Sequence, residues 1–204
     1  NFTAGATGIG LNARIIASPL WSVELDYPQF SMTMSRATVG TAYTFLESKA
    51  NFNNYFMRNK FCLIDKATFY QQLCPGIDIG NDGYPIVNYT SGSTLELTRV
   101  QDIMVGVNLT YMFPVGRSVM LDLMAGYNYG TGIGNSGYLT SKNNSSYFGE
   151  IGLDWNITEH FLLTAGVSYK ARKAKVSGVI GAAQDTWTTN SSTLGGKLGV
   201  GWQF

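Results

Sequence analysis

Charged residues are scarce in this sequence. Asp, Glu, Lys and Arg make up 13% of its 204 residues, about half of the ~25% that is usual for soluble domains. The 14 basic and 13 acidic residues nearly cancel, so no net field would recruit a nucleic acid or an anionic surface. An apolar fraction of 45% excludes a disordered chain. We therefore expect a folded domain that does not bind nucleic acid.

Long apolar runs are also missing. A membrane-spanning helix needs ~20 consecutive apolar residues, and the longest uncharged stretch, 123–141, is interrupted by glycine, asparagine and threonine. This excludes helical membrane spans. No basic segment followed by an apolar one opens the sequence, which therefore has the character of a mature or trimmed form without its targeting segment.

Apolar residues instead recur at every second position, which predicts β-strands with one apolar face. Between 101 and 113, for example, Val105 and Val107 alternate with Asp102 and Asn108. This period predicts eight strands, at 9–27, 36–45, 51–61, 101–113, 119–129, 147–157, 161–171 and 194–204. The first of these could instead be a hairpin, because Pro19 lacks the N–H donor that a sheet requires.

The connections between these strands alternate in length. Three are short and three are long and rich in Gly, Ser, Asn and Thr, at 48–50, 114–117 and 158–160 and at 62–93, 130–145 and 177–193, respectively. We predict an all-β, antiparallel up-and-down barrel of eight strands, with turns at one end, loops at the other and no helical domain. Residues 1–204 would form this single domain, with its longest loop at 62–93. Ten strands are the alternative if Pro19 marks a hairpin and that loop hides another strand.

The distribution of charge indicates which face of the barrel points outward. A soluble barrel buries its apolar face around a ligand, whereas a membrane barrel turns that face toward hydrocarbon. Only Arg99, Lys173 and Lys175 lie on the apolar face, near the loop end. A soluble barrel with so few outward charges would aggregate, so the pattern favours a barrel that spans a membrane. The polar face, which would line the lumen, carries Arg14, Glu24, Asp26, Arg36, Glu96, Asp102, Asp122, Glu150, Asp154, Lys170, Arg172 and Lys197.

Aromatic residues lie near both ends of the predicted apolar band, as in the two interface girdles of a membrane barrel. Near the short turns they are Phe45, Phe113, Trp155, Phe161, Trp202 and Phe204. Nearer the loops they are Tyr27, Tyr127, Tyr129, Tyr147 and Tyr169.

The last strand ends in Gly-Val-Gly-Trp-Gln-Phe, at 199–204. It resembles the closing strand of Gram-negative outer-membrane proteins, in which such an ending implies recognition by the barrel-insertion machinery, here through Trp202 and Phe204. With its short turns and long loops, the chain is similar to the small barrels of the OmpA, OmpX and OmpW type. The resemblance implies an integral protein of the bacterial outer membrane, with extracellular loops and both termini in the periplasm. We expect a monomer whose partners are outer-membrane lipids, lipopolysaccharide and an unidentified extracellular molecule.

Two cysteines, Cys62 and Cys74, lie in the longest predicted loop. Without a matching cluster of His or Cys they make a poor metal site. In an oxidising periplasm they would pair, and closing this loop is worth ~3 kcal/mol of unfolded-chain entropy. We predict a disulfide, and no metal or cofactor.

Catalytic arrangements are not evident in the sequence. His160 is the only histidine and lies in a short predicted turn without a neighbouring nucleophile. An eight-stranded barrel is just wide enough to be filled by side chains, and buried charges must be paired or solvated. We therefore interpret the lumen charges as a salt-bridge network rather than as acid and base catalysts, and predict that the chain is not an enzyme.

Three functions are consistent with this reading. The first is a non-enzymatic barrel with a plugged lumen, whose surface loops have structural or interaction roles. The second is a narrow OmpW-like channel for small or hydrophobic solutes, for which an inner path would be provided by Met104, Met112, Met120, Met124, Phe148 and Leu162. The third, a lipid-modifying enzyme, is disfavoured because no catalytic triad is present. Arg99, Lys173 and Lys175 could contact lipopolysaccharide phosphates or belong to a solvated extension of the strands.

Overall fold

The computed structural model describes residues 2–18, 20–34, 37–39, 43–45, 48–64, 72–91, 94–134, 139–180 and 183–204. Within these residues all regular structure is β. A helix that could span a membrane is not found among them. The strands are β1 (Phe2–Ser18), β2 (Trp21–Met34), β3 (Ala37–Val39), β4 (Tyr43–Phe45), β5 (Ser48–Asn53), β6 (Tyr55–Phe61), β7 (Leu63–Ile64), β8 (Gln72–Ser91), β9 (Thr94–Pro114), β10 (Val119–Gly134), β11 (Leu139–Asn156), β12 (Phe161–Ile180) and β13 (Ala183–Gln203).

The long strands close into a barrel. Its order is β9-β10-β11-β12-β13-β1-β2-β6-β8, and β8 pairs back onto β9. Because β5 and β6 both pair with β2, they act as one strand with an irregularity at Asn54, and the ring has nine members. The predicted closed all-β barrel is confirmed. Neighbours in the ring are antiparallel except at the seam between β1 and β13, which is parallel.

Two strands are added to the predicted eight, and one predicted strand lies outside the ring. Ser18 pairs with Trp21, so β1 and β2 form a hairpin. The predicted alternative of a hairpin in place of one long strand is therefore confirmed. Pro19 itself lies outside the described residues. Segment 62–93 is not one long loop, because it contains the twenty-residue β8. Glycine and proline made that segment look like a loop. Gly80 is there because a Cβ would lie 2.0 Å from the carbonyl oxygen of Tyr55.

A further difference concerns the predicted strand at 36–45. Its described residues form two three-residue strands, β3 and β4, which pair with each other outside the ring, and β4 joins the end of β9. The described strand 51–61 was predicted correctly and corresponds to β5 and β6.

The two ends of the barrel are distinct. One end, which we call the turn end, holds the connections after β1, β6, β9 and β11 and the last residue of β13. The opposite end holds the connections after β8, β10 and β12. Because β1 runs parallel to β13, Phe2 lies at this opposite end, beside Thr189. The prediction that both ends of the chain lie on the same side is therefore wrong for this chain.

The predicted loops at 130–145 and 177–193 are mostly strand. The pairing of β12 with β13 continues to Ile180 and Ala183, and that of β11 with β12 to Leu139 and Gly178. The barrel is therefore longer than predicted, because its strands continue into the segments that were predicted as loops. We call this part the extension; it includes residues 173–180 of β12 and 183–190 of β13.

Polarity inverts along the strands where the extension begins. In the part of β12 nearer the turn end, Val167 and Tyr169 are exposed on the outer face, whereas Thr164 is buried inside. Further along, Lys173 and Lys175 lie outside. There Ala174 and Val176 are completely buried. Across the same strand the apolar face thus passes from the outside of the barrel to the inside.

Other strands repeat this inversion. In β9, Val105 and Val107 are exposed and Asp102 is buried, but two residues nearer the extension Val100 is buried and Arg99 is exposed. Between the turn end and the extension, the outer face of the barrel is broadly apolar. It includes Ile9, Leu11, Leu25, Ile77, Ile79, Leu109, Leu123, Ile151, Leu153, Leu198 and Val200.

A disulfide joins Cys62 and Cys74, as predicted. Both cysteines are buried. They link the end of β6 to the start of β8 at the turn end, rather than stabilising a loop at the opposite end. The disulfide therefore ties together two strands that also pair directly in the ring.

Candidate functional site: the filled lumen

Side chains from all nine ring members fill the lumen between the turn end and the extension, because alternate residues of every strand point inward. The predicted lumen charges that are described lie there together and are buried, apart from Lys170, which is slightly exposed. Arg36 lies outside the described residues, and the side chain of Glu96 is not among those described. The described members of the predicted set thus lie inside the barrel.

Glu24 is the centre of the network. Its carboxylate is completely buried and lies 2.8 Å from Lys60 Nζ, 2.5 Å from Lys197 Nζ and 3.2 Å from Arg14 Nη2. Asn12 donates a further hydrogen bond, at 2.6 Å. Several cations thus share one buried carboxylate, which makes Glu24 the group that connects them.

Arg14 and Arg58 extend the network to the other carboxylates. Arg14 pairs with Asp154 and, at 3.0 Å, with Asp122. Arg58 lies 3.0 Å from Asp26 and 3.4 Å from Glu150. Residues far apart in the chain are joined in this way across the interior, which makes the central lumen a continuous layer of ion pairs.

Four members of the lumen set were missed in the sequence: Arg58, Lys60, Asp78 and Asp82. All four are buried. Asp78 and Asp82 lie in β8, which was read as a loop, and the strand containing Arg58 and Lys60 was assigned without its charges. A signal was present, because Arg58 and Lys60 alternate with the exposed residues Met57 and Phe61.

A second ion-paired cluster lies nearer the extension. Asp82 accepts hydrogen bonds from Arg172 at 2.6 and 2.8 Å, and Lys170 Nζ lies 2.9 Å away. Each cation also covers an aromatic ring: Arg172 lies 4.7 Å from the centre of Tyr84, and Lys170 lies 4.7 Å from that of Phe56. Cation–π contacts stabilise desolvated cations, so inward aromatic residues are part of the charge network.

The lumen carries more acid than base in the part of the chain that the structure describes. Its cations are Arg14, Arg58, Lys60, Lys170, Arg172 and Lys197. Its carboxylates are Glu24, Asp26, Asp78, Asp82, Asp102, Asp122, Glu150 and Asp154. Asp102 instead accepts a hydrogen bond from Ser141 at 3.0 Å, and Ser141 in turn accepts one from Tyr84. Neutral donors thus stabilise a carboxylate that belongs to this excess of acid.

An apolar cluster fills the interior of the extension. It consists of Tyr84, Ile86, Val100, Ala174 and Val176, none of them more than 1% exposed. Water and ions would have to pass this cluster to reach the ion pairs from the extension side. Among the described residues, the interior thus changes from apolar packing at one level to charge pairing at the next.

The turn end is more open. A cavity of about 250 Å³ lies there, which we call the vestibule, and its floor includes Arg14, Lys60 and Asp154. Its wall includes Met112 and Met120 from the predicted inner path. A smaller cavity of about 50 Å³ lies beyond the central ion pairs, beside Phe148 and Lys170. The two spaces flank the network from opposite sides.

Gly126 illustrates how tightly the lumen is packed. A Cβ at this position would lie 2.4 Å from the ring of Phe148, which itself lies 5.1 Å below the guanidinium of Arg58. We expect Gly126→Ala to reduce the free energy of unfolding by ~1–3 kcal/mol, the usual cost of overpacking. Equilibrium unfolding in urea measures this. In the control Gly149→Ala, a Cβ has no neighbour nearer than 3.9 Å, and an equal loss there would contradict the packing explanation.

Three other predicted residues, His160, Trp202 and Phe204, lie at the turn end. His160 is exposed, its Nδ1 donates to the carbonyl oxygen of Gln203 at 3.0 Å, and its ring stacks on Trp202. Trp202 and Phe204 are exposed on the outer face. His160 thus fixes the end of β13. Among the described residues, no group of His, Cys, Asp and Glu is arranged to hold a metal ion.

The three predicted outer cations are divided into two places. Lys173 and Lys175 lie side by side on the outer face of β12, and no ion pair involving either is found in the described part of the chain. Arg99 lies on β9 and donates to Gln101 at 3.3 Å. Two strands, β10 and β11, separate it from the lysines. The lysine pair is therefore a separate feature.

Comparison with known proteins identifies no matching family model, curated protein or solved structure.

Proposed function

We propose that this chain is a non-enzymatic β-barrel that spans the bacterial outer membrane with a plugged lumen, and that its extension projects from the membrane. The inversion of polarity along β9 and β12 carries this proposal. A band that is apolar outside and charged inside suits hydrocarbon, whereas a part that is apolar inside and polar outside suits water. No single solvent favours both arrangements in one barrel.

The length of the strands supports the same proposal. The strands β9 and β13 have 21 residues each, and at ~3.3 Å per residue they are ~70 Å long. Even with a tilt of ~40°, such a strand exceeds the ~25 Å apolar band of an outer-membrane barrel. The surplus corresponds to the extension, which would provide the extracellular surface that the loops were expected to provide.

Aromatic residues near both limits of the band fit the proposed membrane interfaces. Tyr129, Tyr147 and Tyr169 are exposed toward the extension, and Trp155 and Trp202 are exposed at the turn end. Amphipathic rings favour the boundary between hydrocarbon and water. The side chain of Phe45, expected at the turn end, is not described, and its strand β4 pairs with the extension end of β9.

A narrow channel is the second candidate, because the vestibule and the smaller cavity approach the ion pairs from both sides. Conductance in planar bilayers separates the two functions. With a plugged lumen, we expect no stable open state at moderate voltage from protein whose insertion is verified by flotation with vesicles. An ion-selective open state that persists at moderate voltage would contradict the plug and support the channel.

A further inference from the structure

A groove crosses the outer face of the barrel below the lysine pair. It has a volume of about 540 Å³ and runs over β9 to β13, and we call it the outer groove. Its floor is low because Ala125 and Gly149, which are paired in the sheet, have almost no side chain. Tyr169 and Ile151 form parts of its wall. An elongated apolar molecule lying here would contact the sheet backbone directly.

Ala171 connects the outer groove with the lysines. Along the outer face of β12 it follows Tyr169 and precedes Lys173, and it is paired with Ser192 of β13 and with Tyr147 of β11. Lys173 is paired with Ser145 and Asn190, and Lys175 with Asn143 and Thr188. The two ammonium groups are therefore surrounded by amides and hydroxyls, and no carboxylate is paired with them in the sheet.

The spacing between these two features matches one leaflet of a membrane. From Val167 in the groove to Lys173 there are six residues, or ~20 Å along the strand at ~3.3 Å each. With a strand tilt of ~40°, this corresponds to ~15 Å of depth, half of the ~30 Å hydrocarbon core. The apolar outer face of β12 ends at Ala171, so the lysines lie where a lipid headgroup would be.

We propose that the outer groove and the lysine pair together form a binding site for one lipid with a phosphate headgroup, its acyl chain in the groove and its phosphate between Lys173 and Lys175. The charge of the lysine pair selects an anionic headgroup over a zwitterionic one. The apolar, low-floored groove selects a chain rather than a second barrel, because a flat barrel wall could not fill it. This inference rests on the proposed membrane-spanning function.

The test is native mass spectrometry of the full chain from nanodiscs that contain equal amounts of phosphatidylglycerol and phosphatidylcholine. We expect the wild-type protein to retain one phosphatidylglycerol preferentially. In K173Q/K175Q, the ratio of retained phosphatidylglycerol to phosphatidylcholine should fall about thirtyfold, because two interfacial cations are lost, each worth ~1 kcal/mol. Arg117→Gln, which removes an exposed cation from the turn end, should leave the ratio unchanged.

A second variant tests the groove itself. In Gly149→Leu the new side chain would occupy the groove, and the nearest atom to its Cβ is 3.9 Å away, so the fold is retained. We expect a loss of lipid similar to that in K173Q/K175Q. The matched control is Ala13→Leu, which adds the same side chain to the exposed outer face of β1, outside the groove.

The outcomes separate this inference from the proposed function. If the protein does not float with vesicles, the membrane-spanning function fails. If it floats but K173Q/K175Q retains the lipid as the wild type does, the lipid site alone is overturned. Loss with the lysine variant and full retention with Gly149→Leu would overturn the role of the groove. A dimer that disappears in Gly149→Leu would overturn the lipid in favour of a second copy of the chain.

Discussion

Glu24→Ala is expected to lower the free energy of unfolding by about 3–5 kcal/mol, because removing one partner of a buried ion pair leaves the other uncompensated. The effect should lie at the lower end of this range. Glu24 is completely buried and is shared by Arg14, Lys60 and Lys197. Without it, Arg14 still pairs with Asp122 and Asp154, and Lys197 with Glu150. The measurement is urea unfolding of the protein refolded in lipid vesicles, followed by tryptophan fluorescence.

Two comparisons make this test specific. Glu24→Gln keeps the shape and one acceptor but removes the charge, and should give a smaller loss than Glu24→Ala. Glu159→Ala removes an exposed carboxylate from a turn and should have almost no effect. If Glu24→Ala costs no more than ~1 kcal/mol, which is typical of an exposed salt bridge, the network does not stabilise the barrel.

Val107→Arg is expected to destabilise the inserted barrel by ~2–4 kcal/mol, the cost of a cation on the lipid face at the bilayer midplane. Val107 is 61% exposed and lies between Ile77 and Tyr127 on the neighbouring strands. It lies in the middle of the apolar part of β9. Unfolding in vesicles, measured as for Glu24, provides the value.

The control for this substitution is Val115→Arg, since Val115 is similarly exposed but lies in a turn. It should change stability by no more than ~0.5 kcal/mol, as surface substitutions in water usually do. In a water-soluble barrel, both arginines would be tolerated equally. Equal and small effects of the two substitutions would therefore contradict the membrane-spanning function, regardless of how the lumen is packed.

The inward side of most strands was predictable because a period of two is a local property of the sequence. Asp122, Glu150 and Asp154 could be placed in the lumen without knowing their partners. The partners themselves could not be predicted. Arg14 and Asp154 are 140 residues apart, and only the closed ring determines which strands face one another across the lumen.

The aromatic residues of the strand 51–61 do not share one face of the barrel. Phe52 and Phe56 are buried inside, and Tyr55 is outside. Phe56 faces inward because it covers Lys170. An aromatic residue near a buried cation is stabilised in the lumen, and no pattern within a single strand distinguishes it from an aromatic residue at an interface.

The extension was missed for a different reason. Its residues are rich in Gly, Ser, Asn and Thr, which are typical of loops, yet the hydrogen bonding of β12 with β13 continues through them. Backbone pairing compensates for weak strand propensity when neighbouring strands are already held in register. A local signal was present in β12, where the buried Ala174 and Val176 alternate with exposed lysines. These two residues lie on the opposite parity from the apolar residues of the band.

The parallel seam between β1 and β13 has a consequence for the order of folding. Lys197 and Glu24 are 173 residues apart, and they meet only when the first and last strands pair. Until then one edge of each seam strand lacks its backbone partner and the central carboxylate lacks one of its cations, and hydrocarbon penalises both. Such contacts between distant parts of the chain form slowly because loop closure comes first. We therefore expect ring closure to be the cooperative, rate-limiting event, with backbone pairing and charge neutralisation completed in the same step.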